Sequence, residues 1–273
     1  MTTAALTRPS LATPADDERL TFGRAVRSEA IKFSTLRSTW WSIGLTALVT
    51  IGVGALIAGS MNVPGFTGIH TVVSPVQFTM LLAGILGAIT VTGEYGTGMI
   101  RSTLTAVPVR GAVLLAKAIV VASAMFLASL AIFVAAAVAV TPLLSDDTAI
   151  DWASFGDTWM PLIAASLSMS VFALIGLSFG FLLRSGAGAI AATVGVLFVL
   201  PIVVSLFATP DPDWAWVAEV AHYLPMYASS TVIFATITVS SDPAPAAPAA
   251  AALAAWAAGG LLLAWGVFRS RDA

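Results

Sequence analysis

The side chains that could do metal or acid–base chemistry in this chain are few. Only 10% of its 273 residues are charged, and its two histidines are His70 and His222. Together with nearby aspartates they could in principle hold a zinc ion. They lie in separate segments without the spacing of a metal motif, so we predict interfacial polar residues and no metal site. The chain has no cysteine, which excludes disulfides and thiolate ligands.

A second group of charges lies between two apolar stretches, beginning at Glu94. Gly96 and Gly98 loosen the backbone after it, and residues 97–106 can then form a short helix that Pro108 ends. Two cations that follow are expected to face lipid head groups or a partner, namely Arg110 and Lys117. An ordinary loop that carries positive charge would show the same spacing, so both interpretations stay open.

The elements that position these charges are membrane-spanning helices. The chain is 58% hydrophobic, and a span needs about 20 apolar residues. We therefore predict an all-α membrane protein, in which a transmembrane domain at 39–273 holds six helices. Pro201 is expected to kink the fifth helix or mark its end. The central parts of the spans lack Asp, Glu, Lys, Arg and His, and they lie at approximately 40–60, 75–93, 118–140, 160–183, 187–207 and 247–268.

The distribution of cations predicts the orientation of these helices. With six spans, all twelve Lys and Arg residues fall on one side of the membrane. The opposite loops, at 61–74, 141–159 and 208–246, hold no cation but eight acids. Because positive loops stay in the cytoplasm, we predict a multi-pass protein of the cell membrane with both termini cytoplasmic.

The N-terminal region is predicted to lie outside the bilayer. Residues 1–16 read as a disordered tail, and 17–38 as an amphipathic helix on the inner leaflet. Glu29 falls on the apolar face of this helix and Ile31 on the polar face. Either the helix is a plain anchor, or one of these two residues contacts a protein partner. The helix residues predicted to matter are Arg24, Arg27, Glu29, Lys32, Phe33 and Arg37.

Two further features concern packing and the outer face. Within the loop 208–246, the segment 223–237 is too short to cross and could be an outer helix or a re-entrant piece. Small residues should mark helix contacts, although chance explains the pair Gly176-x-x-x-Gly180 equally well. Other glycines that allow close approach are Gly52, Gly54, Gly59, Gly84, Gly87, Gly259 and Gly260.

Two stretches of this sequence resemble a known family. They are Glu94-Tyr-Gly-Thr-Gly-Met-Ile-Arg-Ser-Thr-Leu with the Pro108, Arg110 and Lys117 that follow, and Arg27-Ser-Glu-Ala-Ile-Lys32 ahead of the first span. Both are similar to segments of ABC-2-type transporter permeases, in the style of the actinobacterial members. These permeases are the membrane subunits of ATP-binding cassette transporters.

The resemblance implies a chain that pairs with itself or a second permease and binds cytoplasmic ATPase subunits. Residues 97–106 would be the coupling helix that docks on the ATPase, and 20–37 the connecting helix. Transport, in the export direction, would proceed by alternating access. The charge-free spans suggest an apolar or amphipathic substrate. The residues implied in ATPase coupling are Glu94, Tyr95, Thr97, Gly98, Arg101, Ser102, Thr103, Pro108 and Arg110.

Composition agrees with this division of labour. The sequence contains no G-x-x-x-x-G-K-[ST] phosphate loop, so we predict a transport subunit that is not itself an enzyme and binds no cofactor. ATP and Mg would be bound by the partner ATPase. A net charge of −2 argues against a nucleic-acid partner, whereas membrane lipids are expected ones.

An ATP-independent secondary transporter is the main alternative. Ion-coupled carriers commonly place ionisable side chains at membrane depth, and the predicted span interiors hold none. Backbone carbonyls can also hold sodium, so this alternative is weakened but stays open.

Overall fold

The computed structural model of the protein describes residues 21–60, 67–207, 214–235, 237 and 246–270. The predicted tail at 1–16, the first residues of the predicted interfacial helix at 17–20, and parts of the long outer loop at 208–213 and 238–245 lie outside the described residues. Almost all of the described chain is helical. The helices are α1 (Phe22–Thr35), α2 (Arg37–Ser60), α3 (Gly68–Val73), α4 (Val76–Gly96), α5 (Met99–Ala106), α6 (Arg110–Val140), α7 (Met160–Leu183), α8 (Gly186–Val194), α9 (Leu200–Phe207), α10 (Ala215–Ala221), α11 (Pro225–Phe234) and α12 (Ala246–Ser270).

Six helical segments are long and apolar enough to cross a membrane, which confirms the predicted all-α membrane fold. They are Arg37–Ser60, Gly68–Gly96, Arg110–Leu143, Phe155–Leu183, Gly186–Phe207 and Ala246–Ser270. The ends of several segments differ from the prediction, and two of these differences concern the charged residues. The second segment continues through Glu94 to Gly96, and the third begins at Arg110, ahead of the predicted start near 118. Glu94 and Lys117 are therefore helical residues inside candidate spans.

Helix α7 is the centre of the bundle, and its most extensive contact is with α4. Glycines allow the two backbones to touch. A Cβ at Gly176 would lie 1.8 Å from the carbonyl oxygen of Gly84, and one at Gly87 would lie 1.9 Å from that of Ala173. Gly180 packs closely on Val91 in the same way. The Gly176-x-x-x-Gly180 pair is thus a true helix contact.

The other predicted glycines divide into two groups. Gly54 approaches the carbonyl oxygen of Thr71, and Gly260 approaches the side chain of Ser178. In contrast, a Cβ would meet nothing within 4 Å at Gly52, Gly59 or Gly259. Glycine content by itself therefore predicted helix contacts at some positions and not at others.

The fifth span accommodates Pro201 without ending. A five-residue π-helical turn, Gly195–Val199, lies directly ahead of it, and α9 then continues to Phe207. Proline has no N–H to donate to the preceding turn, and π-helical turns are a common way for a helix to absorb such an interruption.

The described residues of the segment 223–237 include a short helix, α11, packed among the ends of the spans. Helix α11 contacts both α7 and α12, and its Phe234 ring stacks on His70 with a centroid distance of 5.6 Å. Trp256 of α12 donates a hydrogen bond to the Tyr223 carbonyl at 2.9 Å. Ten residues of helix reach only about 15 Å, so α11 does not cross the bilayer.

Candidate functional site

Helix α1 presents one buried face to the bundle. Its N-cap is Thr21, whose side chain accepts a hydrogen bond from the Arg24 amide at 3.4 Å. The side chains buried along it are those of Ala25, Glu29 and Phe33, which repeat every four residues and so share one face. This face packs on α6. Leu36 is extended and separates α1 from α2, so the predicted Arg37 belongs to the first turn of α2.

Helix α5 is short and has one buried side and one exposed side. Gly98 precedes it with a left-handed φ of 73°, a conformation that favours glycine, and this allows α5 to turn away from the end of α4. Within α5 the side chain of Ile100 is buried, whereas those of Arg101, Ser102 and Thr105 are exposed. The helix ends at Ala106 because Val107, ahead of Pro108, is extended.

A buried lysine joins α6 to α1 and α4. The Lys117 Nζ donates to Glu29 Oε2 at 2.5 Å and to Glu94 Oε1 at 2.8 Å. Lys117 and Glu94 are each only 3% exposed, and Glu29 is 4% exposed. The expectation that Lys117 faces lipid head groups or a partner is therefore wrong. Its ammonium is turned inward because two carboxylates lie there.

A second lysine completes the group and extends it to α5. The Lys32 Nζ donates to Glu29 Oε1 at 2.7 Å, to Glu94 Oε1 at 3.1 Å and to Thr103 Oγ1 at 3.0 Å. We call Glu29, Lys32, Glu94 and Lys117 the ionic cluster. Its two carboxylates and two ammoniums balance formally, and its bonds connect α1, α4, α5 and α6.

Glu29 and Lys32 keep their charges in spite of burial. Burial by itself would raise the pKa of Glu29, but the ammoniums of Lys117 and Lys32 outweigh this and hold that pKa below 4.5. For Lys32, burial would lower the pKa, and the carboxylates of Glu29 and Glu94 raise it above 10.5 instead. Since an unpaired charge here would be strongly destabilising, each member depends on the others.

A second set of contacts lies around Tyr95 and the end of α12. The Arg184 guanidinium lies over the Tyr95 ring at 5.3 Å, and the Arg110 Nη1 donates to the Phe268 carbonyl at 2.9 Å. Arg110 also lies 6.0 Å from the centre of the Phe268 ring. A cation at the last carbonyls of a helix stabilises its C-terminus. Arg110 thus has a contact within this chain that its predicted role in ATPase coupling did not include.

Ten of the predicted site residues fall into two groups. Glu29, Lys32, Glu94 and Thr103 bond directly to one another or through Lys32. The second group is exposed and consists of Arg24, Arg27, Thr97, Arg101, Ser102 and Pro108. Lys117 was missed as a cluster member. The signal that could have found it was the placement of Glu29 and Lys117 each among apolar residues, since two opposite buried charges favour each other as partners.

The histidines occupy separate places at the other end of the spans. His70 Nδ1 accepts a hydrogen bond from the Thr67 amide at 3.2 Å and the ring is buried, so His70 is a packed residue of α3 where an interfacial one was expected. His222 lies at the end of α10. In the described part of the chain, no three His, Cys, Asp or Glu side chains group as metal ligands would.

Comparison with known proteins identifies no family. No protein-family model matches the chain, and a search of curated proteins finds no relative. The geometry of the ionic cluster and of α5 is accordingly what supports a functional proposal.

Proposed function

We propose that this chain is the membrane subunit of an ABC-2-type ATP-binding cassette transporter, with a separate ATPase docking on α5. The observation that best supports this proposal is the hydrogen bond from Lys32 to Thr103, which joins the short α5 to α1. Through the ionic cluster this bond also connects α5 to the spans α4 and α6. Arg101, Ser102 and Thr105 are exposed on the opposite side of α5 and are available to a soluble partner. A push on α5 would therefore reach two spans through the ionic cluster.

The proposed orientation of the chain in the membrane rests on the distribution of its charges. The cations at this end of the bundle support a cytoplasmic position for it by the positive-inside rule, and we propose that both termini lie there and that the protein is in the cell membrane. The chain would act as a homodimer or with a second permease. Its substrate would be apolar or amphipathic and would be exported by alternating access. The chain itself would bind no cofactor, and ATP and Mg would be held by the ATPase.

The decisive experiment is co-purification of the chain with candidate ATPases that carry a phosphate loop. Arg101→Glu should abolish complex formation and the stimulation of ATP hydrolysis, because it reverses the charge of the exposed face of α5. The matched control is Arg269→Glu, an equal charge reversal on an exposed residue of α12 at the same end of the bundle. We expect that control to bind normally. If both variants bind and couple as well as the parent chain, α5 is not the docking element.

One observation favours the alternative of a proton-coupled secondary transporter. Glu94 and Lys117 are ionisable, buried and inside candidate spans, which is where such carriers bind their protons. The chain would then move substrate in liposomes under a pH gradient without any ATPase. Transport that requires the ATPase and ATP, and that ignores the gradient, would exclude this alternative.

A further inference from the structure

The two halves of the fifth span differ in how tightly they are held. The first half, α8 with the π turn that follows it, lies against α4 where Gly84 leaves room for two of its side chains. A Cβ at Gly84 would lie 2.6 Å from Thr193 Cγ2 and 2.9 Å from Leu197 Cδ1. Both of these side chains are fully buried, and α8 packs on α7 as well. Because interlocked side chains leave little room for movement, this half is fixed to the centre of the bundle.

The second half of the span, α9, is held by few contacts. Of its eight residues Pro201 alone is buried, whereas Ile202, Val203 and Leu206 are exposed. Outside its own span, α9 packs chiefly on the short α10. The Tyr227 hydroxyl of α11 reaches the Pro201 carbonyl at 3.5 Å, which is long for a hydrogen bond and therefore weak. A shift of α9 thus breaks few contacts of the described chain.

The joint between the two halves lacks a backbone hydrogen bond that a continuous helix would make. In the π turn Gly195–Val199, the Leu200 amide donates to the Gly195 carbonyl five residues back. Pro201 follows at once and has no amide hydrogen to donate. Helices bend sharply at prolines and at π turns, and both lie here in succession. The fifth span therefore has its lowest resistance to bending between Gly195 and Pro201.

The fourth span has the same joint without a helical arm beyond it. Its π turn, Phe155–Trp159, precedes Pro161 as the π turn of the fifth span precedes Pro201. In the fourth span the joint lies at the start of the helix, and Thr158 and Pro161 are buried there. The π turn accommodates a proline in both spans, but in the fifth span a lightly held helix continues from it.

From these observations we infer that α9 is a gate, which swings about the joint 195–201 while α8 stays fixed on α4. Helix α8 begins beside Thr92, close to the ionic cluster, so α9 lies at the opposite end of the bundle. The swing would part α9 from Tyr227 and open the bundle between α9 and α11 at that end. The arm of eight residues is about 12 Å long, so a bend of about 20° moves its tip by about 4 Å. This motion needs no ATPase and does not depend on the proposed function.

The test measures distances between pairs of spin labels on introduced cysteines, which is direct because the chain has no native cysteine. The first pair, Leu206→Cys with Leu56→Cys, joins exposed residues of α9 and α2 at the end opposite the ionic cluster. The second pair, Ala187→Cys with Leu45→Cys, joins the same two spans at the end that holds the cluster. In phosphatidylcholine nanodiscs, the distance distribution of the first pair should be wider than that of the second by about 4 Å. A first distribution as narrow as the second would overturn the gate.

A matched pair of proline variants tests the joint. Pro201→Ala restores an amide donor to the fifth span and should narrow the distribution of the first pair to the width of the second. Pro161→Ala makes the same change at the joint of the fourth span and should leave the first pair unchanged. Narrowing in both variants, or in neither, would refute a pivot at this joint. If Pro201→Ala does not fold, the two pairs in the parent chain still decide between a moving and a fixed α9. Failure here would leave ATPase docking on α5 unaffected.

Discussion

Helix α4 is held in two places by opposite kinds of contact. At its middle, Gly84 and Gly87 meet α7 with backbone against backbone, in a contact without charge. At its end, Glu94 is held by two lysines from other helices. The glycine contact has one possible geometry, because its atoms are already at van der Waals distance. The ionic contact has several, since the Lys32 ammonium has three acceptors within reach.

This difference suggests which part of the molecule is rigid and which part can rearrange. The α4–α7 pair is expected to move as one body. Helices α1 and α5, which are tied to it through exchangeable hydrogen bonds, can shift relative to it at smaller cost. The following predictions test this division, from the largest expected effect to the smallest.

Removing the buried ammonium of Lys117 should have the largest effect. Lys117→Met leaves two buried carboxylates that share Lys32 alone, and should lower the free energy of unfolding by about 3–5 kcal/mol. Denaturant titration of the purified chain in detergent measures it. The control Arg27→Met removes an exposed cation of α1 and should change little.

A double variant sharpens this result. Lys117→Met combined with Glu29→Gln leaves Lys32 and Glu94 as a balanced pair, and should recover part of the lost stability. A double variant as unstable as the sum of its parts would show that the charges do not act as one cluster.

A methyl group in the glycine contact should have the next largest effect. Gly176→Ala places a carbon 1.8 Å from the Gly84 carbonyl oxygen, so α4 and α7 must separate, at a cost of about 3 kcal/mol. Gly52→Ala is the control, because a Cβ there meets nothing within 4 Å. Thermal unfolding of both variants compares them. If the two lose equal stability, α4 and α7 are not in close contact at Gly176.

The pH dependence of stability should show the contributions of Glu29 and Lys32. Because the pKa of Glu29 is lowered, its contribution is present above pH 4.5 and is lost as pH falls through its folded value. Because the pKa of Lys32 is raised, its contribution is present below pH 10.5 and is lost above its folded value. We expect a plateau in melting temperature between these limits. In Glu29→Gln the acid limb should be shallower, whereas an unchanged limb would assign it to other carboxylates.

The smallest effect concerns the tie between α1 and α5. Thr103→Val removes one acceptor of Lys32 and should weaken the attachment of α5 by about 1 kcal/mol. Hydrogen exchange should then be faster in α5 and unchanged in α7. Thr105→Val is the matched control, since the Thr105 hydroxyl bonds only within α5, to the Ser102 carbonyl. Equal exchange in the two variants would mean that Lys32 does not hold α5.

Local features were well predicted because their causes are local. A helix at 97–106 was expected from two glycines and a proline, and α5 covers Met99–Ala106 with Gly98 in the left-handed conformation. Partners across the fold were not predicted. Arg110 was assigned to an ATPase contact, yet it bonds to the Phe268 carbonyl, and nothing in the local sequence links positions so far apart.

The sequence by itself determined six spans and a short helix between the second and third of them. Hydropathy is summed over one turn after another of the same segment, so it requires no knowledge of neighbours. The tertiary structure decided what the charges do. Glu29 on an apolar face and Lys117 at the edge of an apolar run are anomalies in sequence, and they become partners only when α1 packs on α6 and turns both inward. The rotation of a helix about its axis is set by packing, and packing brought these charges together.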